Sequence, residues 1–192
     1  MARAANGESE QETHDGVCYR KEPVTSRGMG ETRWLDDLES RSWLGLLGAH
    51  SRLMARLDAE LQQTQQISLA DYGVLVHLSE ADGHMLRMTE LADRLLLSPS
   101  GLTRRVDRLV SSGLVERIRC PTDRRGSLAR LTTAGSKRLE RAAPDHVDQV
   151  RRHFVDRLNR RQLASLVDAL ETISDDPVVC ETRVPGPSEQ RR

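Results

Sequence analysis

LSPSGLTRRVDRLVSSGLVERIRCPTDRRGSLARLTTAG, residues 97–135, reads as a short helix running into a tight hairpin with a basic tip. Ser98 stands where an N-cap accepts from the backbone, and Pro99 follows at the first helical position, where its missing N–H is not needed. Leu102, Val106, Leu109 and Val110 follow the i, i+4, i+7, i+8 spacing of a core-facing stripe. That turns Ser100, Gly101, Arg104 and Arg108 to the opposite side, and Gly113 supplies the stop. LVERIR and SLARLT then alternate apolar and polar residues around CPTDRRG, residues 120–126, whose Pro, Thr-Asp and Gly are turn formers. Two arginines, Arg124 and Arg125, occupy the tip of that hairpin.

Outward from this block the chain is mostly helical. Trp34 to about Gln63 carries Leu35, Leu38, Leu46, Leu53, Leu57 and Leu61 at roughly helical spacing, which predicts one long amphipathic helix. Ser68 lies three residues before Asp71 and resembles a capping box for a second helix bearing Tyr72, Leu75, Val76 and Leu78. MLRM, 85–88, fits a short strand, and Thr89 is placed to cap the helix that follows it. Beyond the hairpin Thr132 opens a long helical stretch that Pro144 should kink or split. Val147, Val150, Phe154 and Leu158 form its second apolar stripe. Asn159 with Gln162 caps a last helix carrying Leu163, Leu166, Val167, Leu170 and Ile173.

Residues 1–33 have too few large apolar side chains to offset chain entropy, so they are expected to be a disordered extension, and 175–192 a C-terminal tail. Formal charge over all 192 residues is zero. Its distribution is uneven. Residues 94–141 hold twelve Lys and Arg against four Asp and Glu, a net +8, whereas residues 1–40 hold five against nine, a net −4. A basic central block of this kind is an electrostatic footprint for nucleic acid.

Several classes fall away. The uncharged run around Leu44 to Ala49 is far short of the ~20 apolar residues of a membrane span. The polar, acidic start MARAANGESEQETHDG does not read as a secretory signal, so a cytoplasmic location is expected. Cys18, Cys120 and Cys180 are odd in number and widely spaced, which suits neither a disulfide framework nor a zinc site. His146 and His153 alone make a poor metal site. No phosphate loop or nucleophile-with-base pattern is present; the glycines at 83 and 113 punctuate elements. No enzyme activity, metal or cofactor is expected.

The order helix, short strand, helix, basic helix, strand, basic tip, strand is the plan of a winged helix-turn-helix. The expected class is mainly α with a small β-hairpin wing, DNA-binding over 67–132, and a helical dimerisation region over 34–66 and 133–174. In such domains the N-terminal residues of the second helix reach base edges in the major groove. Pro99, Ser100, Thr103 and Arg104 are then the base-contact candidates, with Arg104 able to donate twice to guanine, and Arg105 and Arg108 are better placed for phosphates. The tip arginines Arg124 and Arg125 suit the narrow minor groove. Asp123 either pairs with one guanidinium and stiffens the wing or is an ordinary turn residue. A helical protein–protein adaptor without specific DNA binding also accounts for the amphipathic helices, but it leaves the basic block without purpose.

The stretch quoted at the outset, with its GLVER strand, D-x-R tip (Asp123, Arg125) and closing L-T-x-x-G (Leu131, Thr132, Gly135), resembles the MarR, or multiple antibiotic resistance regulator, family of bacterial transcription factors. The likeness covers about 36–174 in architecture and is most specific over 89–135. It implies a homodimer on a pseudo-palindromic duplex operator, built through the first and last two helices, and acting as a ligand-responsive repressor. It also implies a pocket for a small aromatic or phenolic effector between the dimerisation helices and the winged domain. Trp43, His50, Arg52 and Tyr72 border that region, although aromatic residues at helical spacing also serve as core and Arg52 as a surface charge. The chain departs from redox-sensing members in having its N-terminal cysteine, Cys18, in the tail. Cys120 beside the tip arginines reads better as a passive thiol.

Overall fold

The computed structural model describes residues 32–119 and 126–174. The chain divides into a short unit ending at Ser40 and a larger one beginning at Arg41. The elements in order are α1 (Asp37–Gln65), α2 (Leu69–Glu80), β1 (Met85–Arg87), α3 (Met88–Arg94), α4 (Pro99–Ser111), β2 (Val115–Arg119), β3 (Ser127–Leu131), α5 (Thr133–His153) and α6 (Arg160–Ile173). Among the described residues this is the expected mainly helical chain with a small sheet.

Helix α1 begins three residues later than the apolar pattern suggests. Asp36 is the reason: its Oδ1 accepts from the Glu39 amide at 2.8 Å, while the Asp36 amide donates to Glu39 Oε2 at 2.9 Å. That reciprocal box satisfies two backbone donors that would otherwise be orphaned, and leaves Trp34 and Leu35 outside the helix and exposed.

The three strands lie in the order β1-β3-β2, all antiparallel. Leu86 faces Ala129 across one ladder, and Val115 faces Leu131 across the other. These four are buried, as the period of two requires for a sheet with one covered face. The covering layer comes from Leu75 and Leu78 of α2, Leu91 of α3 and Leu102, Val106 and Leu109 of α4. A fully buried leucine of this kind contributes about 1.5–3 kcal/mol. The same cluster takes in Leu61 of α1 and Ala142 of α5. The block 67–132 therefore closes its core with residues borrowed from both flanking helices.

Three local expectations change. Thr89 is inside α3 rather than capping it: β1 pairs with β3 up to Arg87, which becomes the N-cap and makes no side-chain cap bond, so the helix starts directly at Met88. Val110 is 37% exposed, one position past the edge of the buried stripe. Pro144 does not split α5, which runs from Thr133 to His153. Ala142 and Ala143 point inward while Pro144 and Glu140 are exposed, so the carbonyl that loses its donor at Pro144 is open to water.

The turn into α5 explains L-T-x-x-G physically. Thr132 Oγ1 accepts from the Gly135 amide at 3.0 Å and donates to the Gly113 carbonyl at 2.7 Å, tying the start of α5 to the end of α4. Gly135 lies so close to the Leu114 carbonyl that any Cβ would overlap it. Gly113, at φ +72°, makes the left-handed turn out of α4.

Candidate nucleic-acid interface

The exposed N-terminal end of α4 is the centre of the site. Ser98 caps it, accepting from the Gly101 amide at 3.2 Å, with Ser100 Oγ 3.4 Å away. Pro99, Ser100, Thr103 and Arg104 are exposed, on the side opposite buried Leu102, Val106 and Leu109. A helix N-terminus offers unpaired amides and positive potential to an approaching anion. Small side chains at Ser100 and Gly101 keep that end open to close approach. Among the described residues none forms an ion pair with the Arg104 guanidinium.

Two clamps fix α4 on its scaffold. On one flank, Arg105 Nη1 donates to Asp71 Oδ1 of α2 at 2.9 Å, and Arg108 Nη2 reaches the same oxygen at 3.4 Å. On the other, Arg117 of β2 pairs with Asp107 at 3.0 Å and approaches the Thr103 carbonyl at 3.4 Å. Arg105 is the more sheltered of the two arginines. Its side chain is only 20% exposed and turned to Asp71, because α4 has little open surface at that position, whereas Arg108 is 60% exposed. Sequence reading assigned Asp71 to a cap alone and passed over Asp107 and Arg117. Local sequence carries no signal for partners 34 residues apart.

The sheet adds a further ion pair. Glu116 and Arg130 stand directly opposite on β2 and β3, with Arg130 Nε 2.6 Å from Glu116 Oε1. The hydrogen bond from Arg130 holds the Glu116 carboxyl below the usual carboxylate range. Cys120, Asp123, Arg124 and Arg125 fall outside the described residues.

The four residues expected near an effector do not share one environment. Trp43, His50 and Arg52 are exposed on α1, with the Arg52 guanidinium lying against Gly48. Tyr72 is buried in the core, its ring 4.7 Å from that of His146. Burial and the nearby Glu80 charge push the Tyr72 hydroxyl up to about 12, and burial pushes the His146 imidazole down. His153 Nε2 lies 2.6 Å from Glu60 Oε1 of α1. Among the described residues no cluster of three potential ligands could hold a metal, and no helix is long and apolar enough to cross a membrane.

The sequence model of the MarR family matches residues 65–126. AbsC, a MarR family transcriptional regulator from Streptomyces coelicolor, is 39% identical and superposes with a TM-score of 0.70 over 74% of this chain and 95% of that one. Sco3205, a MarR family transcriptional regulator from the same organism whose crystal structure is a complex with DNA, is also 39% identical, with a TM-score of 0.71 over 74% and 89% of the two chains. The HTH-type transcriptional repressor YetL of Bacillus subtilis is 33% identical over 84 residues, which are 44% of this chain. The match spans half the length of that repressor.

Proposed function

The chain belongs to the MarR family and is a DNA-binding transcriptional regulator rather than an enzyme, and from that premise we propose that it binds a pseudo-palindromic duplex operator as a homodimer and acts as a repressor. The observation that carries this reading is the exposed N-terminal end of α4. Pro99, Ser100, Thr103 and Arg104 would meet base edges in the major groove, and Arg108 the phosphates. Arg105 is reassigned to holding the helix in place. Arg124 and Arg125 keep their proposed place in the minor groove, with Asp123 as the residue that stiffens the wing. The names of AbsC, Sco3205 and YetL support the regulatory role, and that of YetL supports repression.

The dimer reading rests on apolar surface that the described residues leave open. Trp43, Leu44, Leu46 and Leu47 of α1, Val147 of α5 and Val167 and Ile173 of α6 are all exposed. Residues 34–66 and 133–174 are accordingly proposed as the dimerisation region around the DNA-binding block. A small aromatic or phenolic effector is proposed to lie along α1, where Trp43, His50 and Arg52 are open and a second protomer would supply the other wall. Tyr72 is buried in the core.

The test is selection of duplexes from a random pool, followed by footprinting and sedimentation of the complex. Two protomers on half-sites about one helical turn, ~10 bp, apart are expected. Arg104→Ala should cost ~1–3 kcal/mol on the selected duplex and relax preference at one base pair, while leaving scrambled DNA nearly unaffected. Binding with no sequence preference would instead favour the adaptor reading.

A further inference from the structure

Asp71 is the third residue of α2, where an acid ordinarily returns a hydrogen bond to the capping residue. Ser68 Oγ does accept from the Asp71 amide at 3.0 Å. The carboxylate, however, reaches out to α4, where a single oxygen, Oδ1, faces both Arg105 and Arg108. The two contacts are unequal. That to Arg105 is short, 2.9 Å, between side chains 20% and 17% exposed; that to Arg108 is 3.4 Å, from a side chain 60% exposed. A sheltered, charge-assisted pair is stronger than an open one, which water and salt screen. Arg105 Nε is buried with no hydrogen-bond partner, so the guanidinium depends on Asp71 for its pairing.

We propose that Asp71 is a positioning residue for DNA recognition that occupies the place of a phosphate: it retains Arg105 within the protein and lends Arg108 to the DNA. When the duplex approaches α4, a phosphate oxygen replaces the distant Asp71 oxygen at Arg108, while Arg105 stays bound. Asp71 thereby limits the cationic charge that α4 presents to any DNA regardless of sequence. Sequence-independent affinity comes from phosphate neutralisation, so holding back one arginine widens the gap between operator and other DNA. This inference rests on the DNA-binding reading above and deepens it.

The test uses the full chain with a selected operator and a scrambled duplex of the same length, titrated across a series of salt concentrations. Asp71→Asn keeps shape and capping while releasing Arg105. Its slope of log affinity against log salt should steepen by about 0.9, one additional phosphate, and scrambled DNA should gain more affinity than the operator. Asp93→Asn, the same change of charge at an exposed position on α3, should leave the slope where it was. Adding Arg105→Met to Asp71→Asn should return the slope to that of the wild type, and Asp71→Glu should preserve the operator preference. A merely structural role would lower the midpoint of thermal unfolding and weaken both duplexes without changing the slope. An unchanged slope in Asp71→Asn, or a steep slope that persists in the double variant, overturns the inference while wild-type operator preference still supports the function; a wild-type chain without that preference overturns both.

Discussion

Helix α4 and the first half of α1 have opposite fates. Both repeat apolar residues at helical spacing. On α4 the stripe Leu102, Val106 and Leu109 is buried by the chain's own sheet and helices, and the polar face is left to act. On α1 burial is confined to Leu57 and Leu61, near the C-terminal end, while Trp43, Leu44, Leu46 and Leu47 face solvent. Helix α6 resembles α1: its apolar stripe supplies no buried residue. Amphipathicity alone thus says that a face wants covering; whether this chain or a second molecule covers it depends on tertiary contacts.

The contrast can be broken most sharply by truncating one leucine on each side. Leu78→Ala, within the fully buried set, should lower unfolding stability by ~3–5 kcal/mol in chemical denaturation. Leu46→Ala should change it by less than ~0.5 kcal/mol when measured on the monomer at high dilution. Comparable losses at both sites would mean that α1 is covered within the protomer. Placing charge on the open face, Leu44→Asp with Leu47→Asp, should instead move the sedimentation equilibrium from dimer to monomer and leave the helical circular-dichroism signal intact. An unchanged dimer would locate the interface elsewhere.

The core of the DNA-binding block also has a pH signature. His146 is held below its ordinary value by burial, so the unfolded chain takes up a proton first as pH falls, and stability should decline below about 6.5. Tyr72 has the reverse sign: raised to about 12, it stays protonated when the unfolded chain ionises, so stability should fall as pH rises from about 10 toward 12. Thermal unfolding across pH should show a plateau between these limits, and His146→Phe should flatten its acid side. A small effect of opposite sign, a gain in stability, is expected at Leu96, in the turn between α3 and α4. Its φ of +52° is left-handed and its side chain is 94% exposed. Leu96→Asn should relieve strain and stabilise by ~0.5–1 kcal/mol, read as a rise of a few degrees in the unfolding midpoint.

How much of this was legible in sequence depended on the range of the interaction concerned. The caps at Ser98, Thr132 and Asn159 were readable because donor and acceptor are three residues apart. The hairpin was readable because its alternation is local. Thr89 misled because the boundary of α3 is set by strand pairing some 40 residues away, not by its own cap. That α5 continues through Pro144 rather than splitting was not legible, because a proline's cost depends on whether the orphaned carbonyl meets water, which requires knowing the exposed face. At the candidate interface the outward position of Arg104 followed from helical period. The contrast between Arg105 and Arg108 did not, since both are arginines on the same helix and only Asp71 tells them apart.

The buried residues of α1, Leu57 and Leu61, and its ion pairs at Glu60 all lie in its C-terminal part, which would let the helix act as a lever. Trp43 lies fourteen residues from Leu57, about 21 Å along the axis. A pivot of roughly 10° at that root displaces the far arm by about 3.7 Å, close to the ~3.4 Å rise of one base pair. In the proposed dimer the far arms are what join the two protomers, so fixing them turns the motion around: the DNA-binding blocks swing instead. An effector seated along α1 would need no contact with α4 to change the spacing at which two recognition helices meet their half-sites.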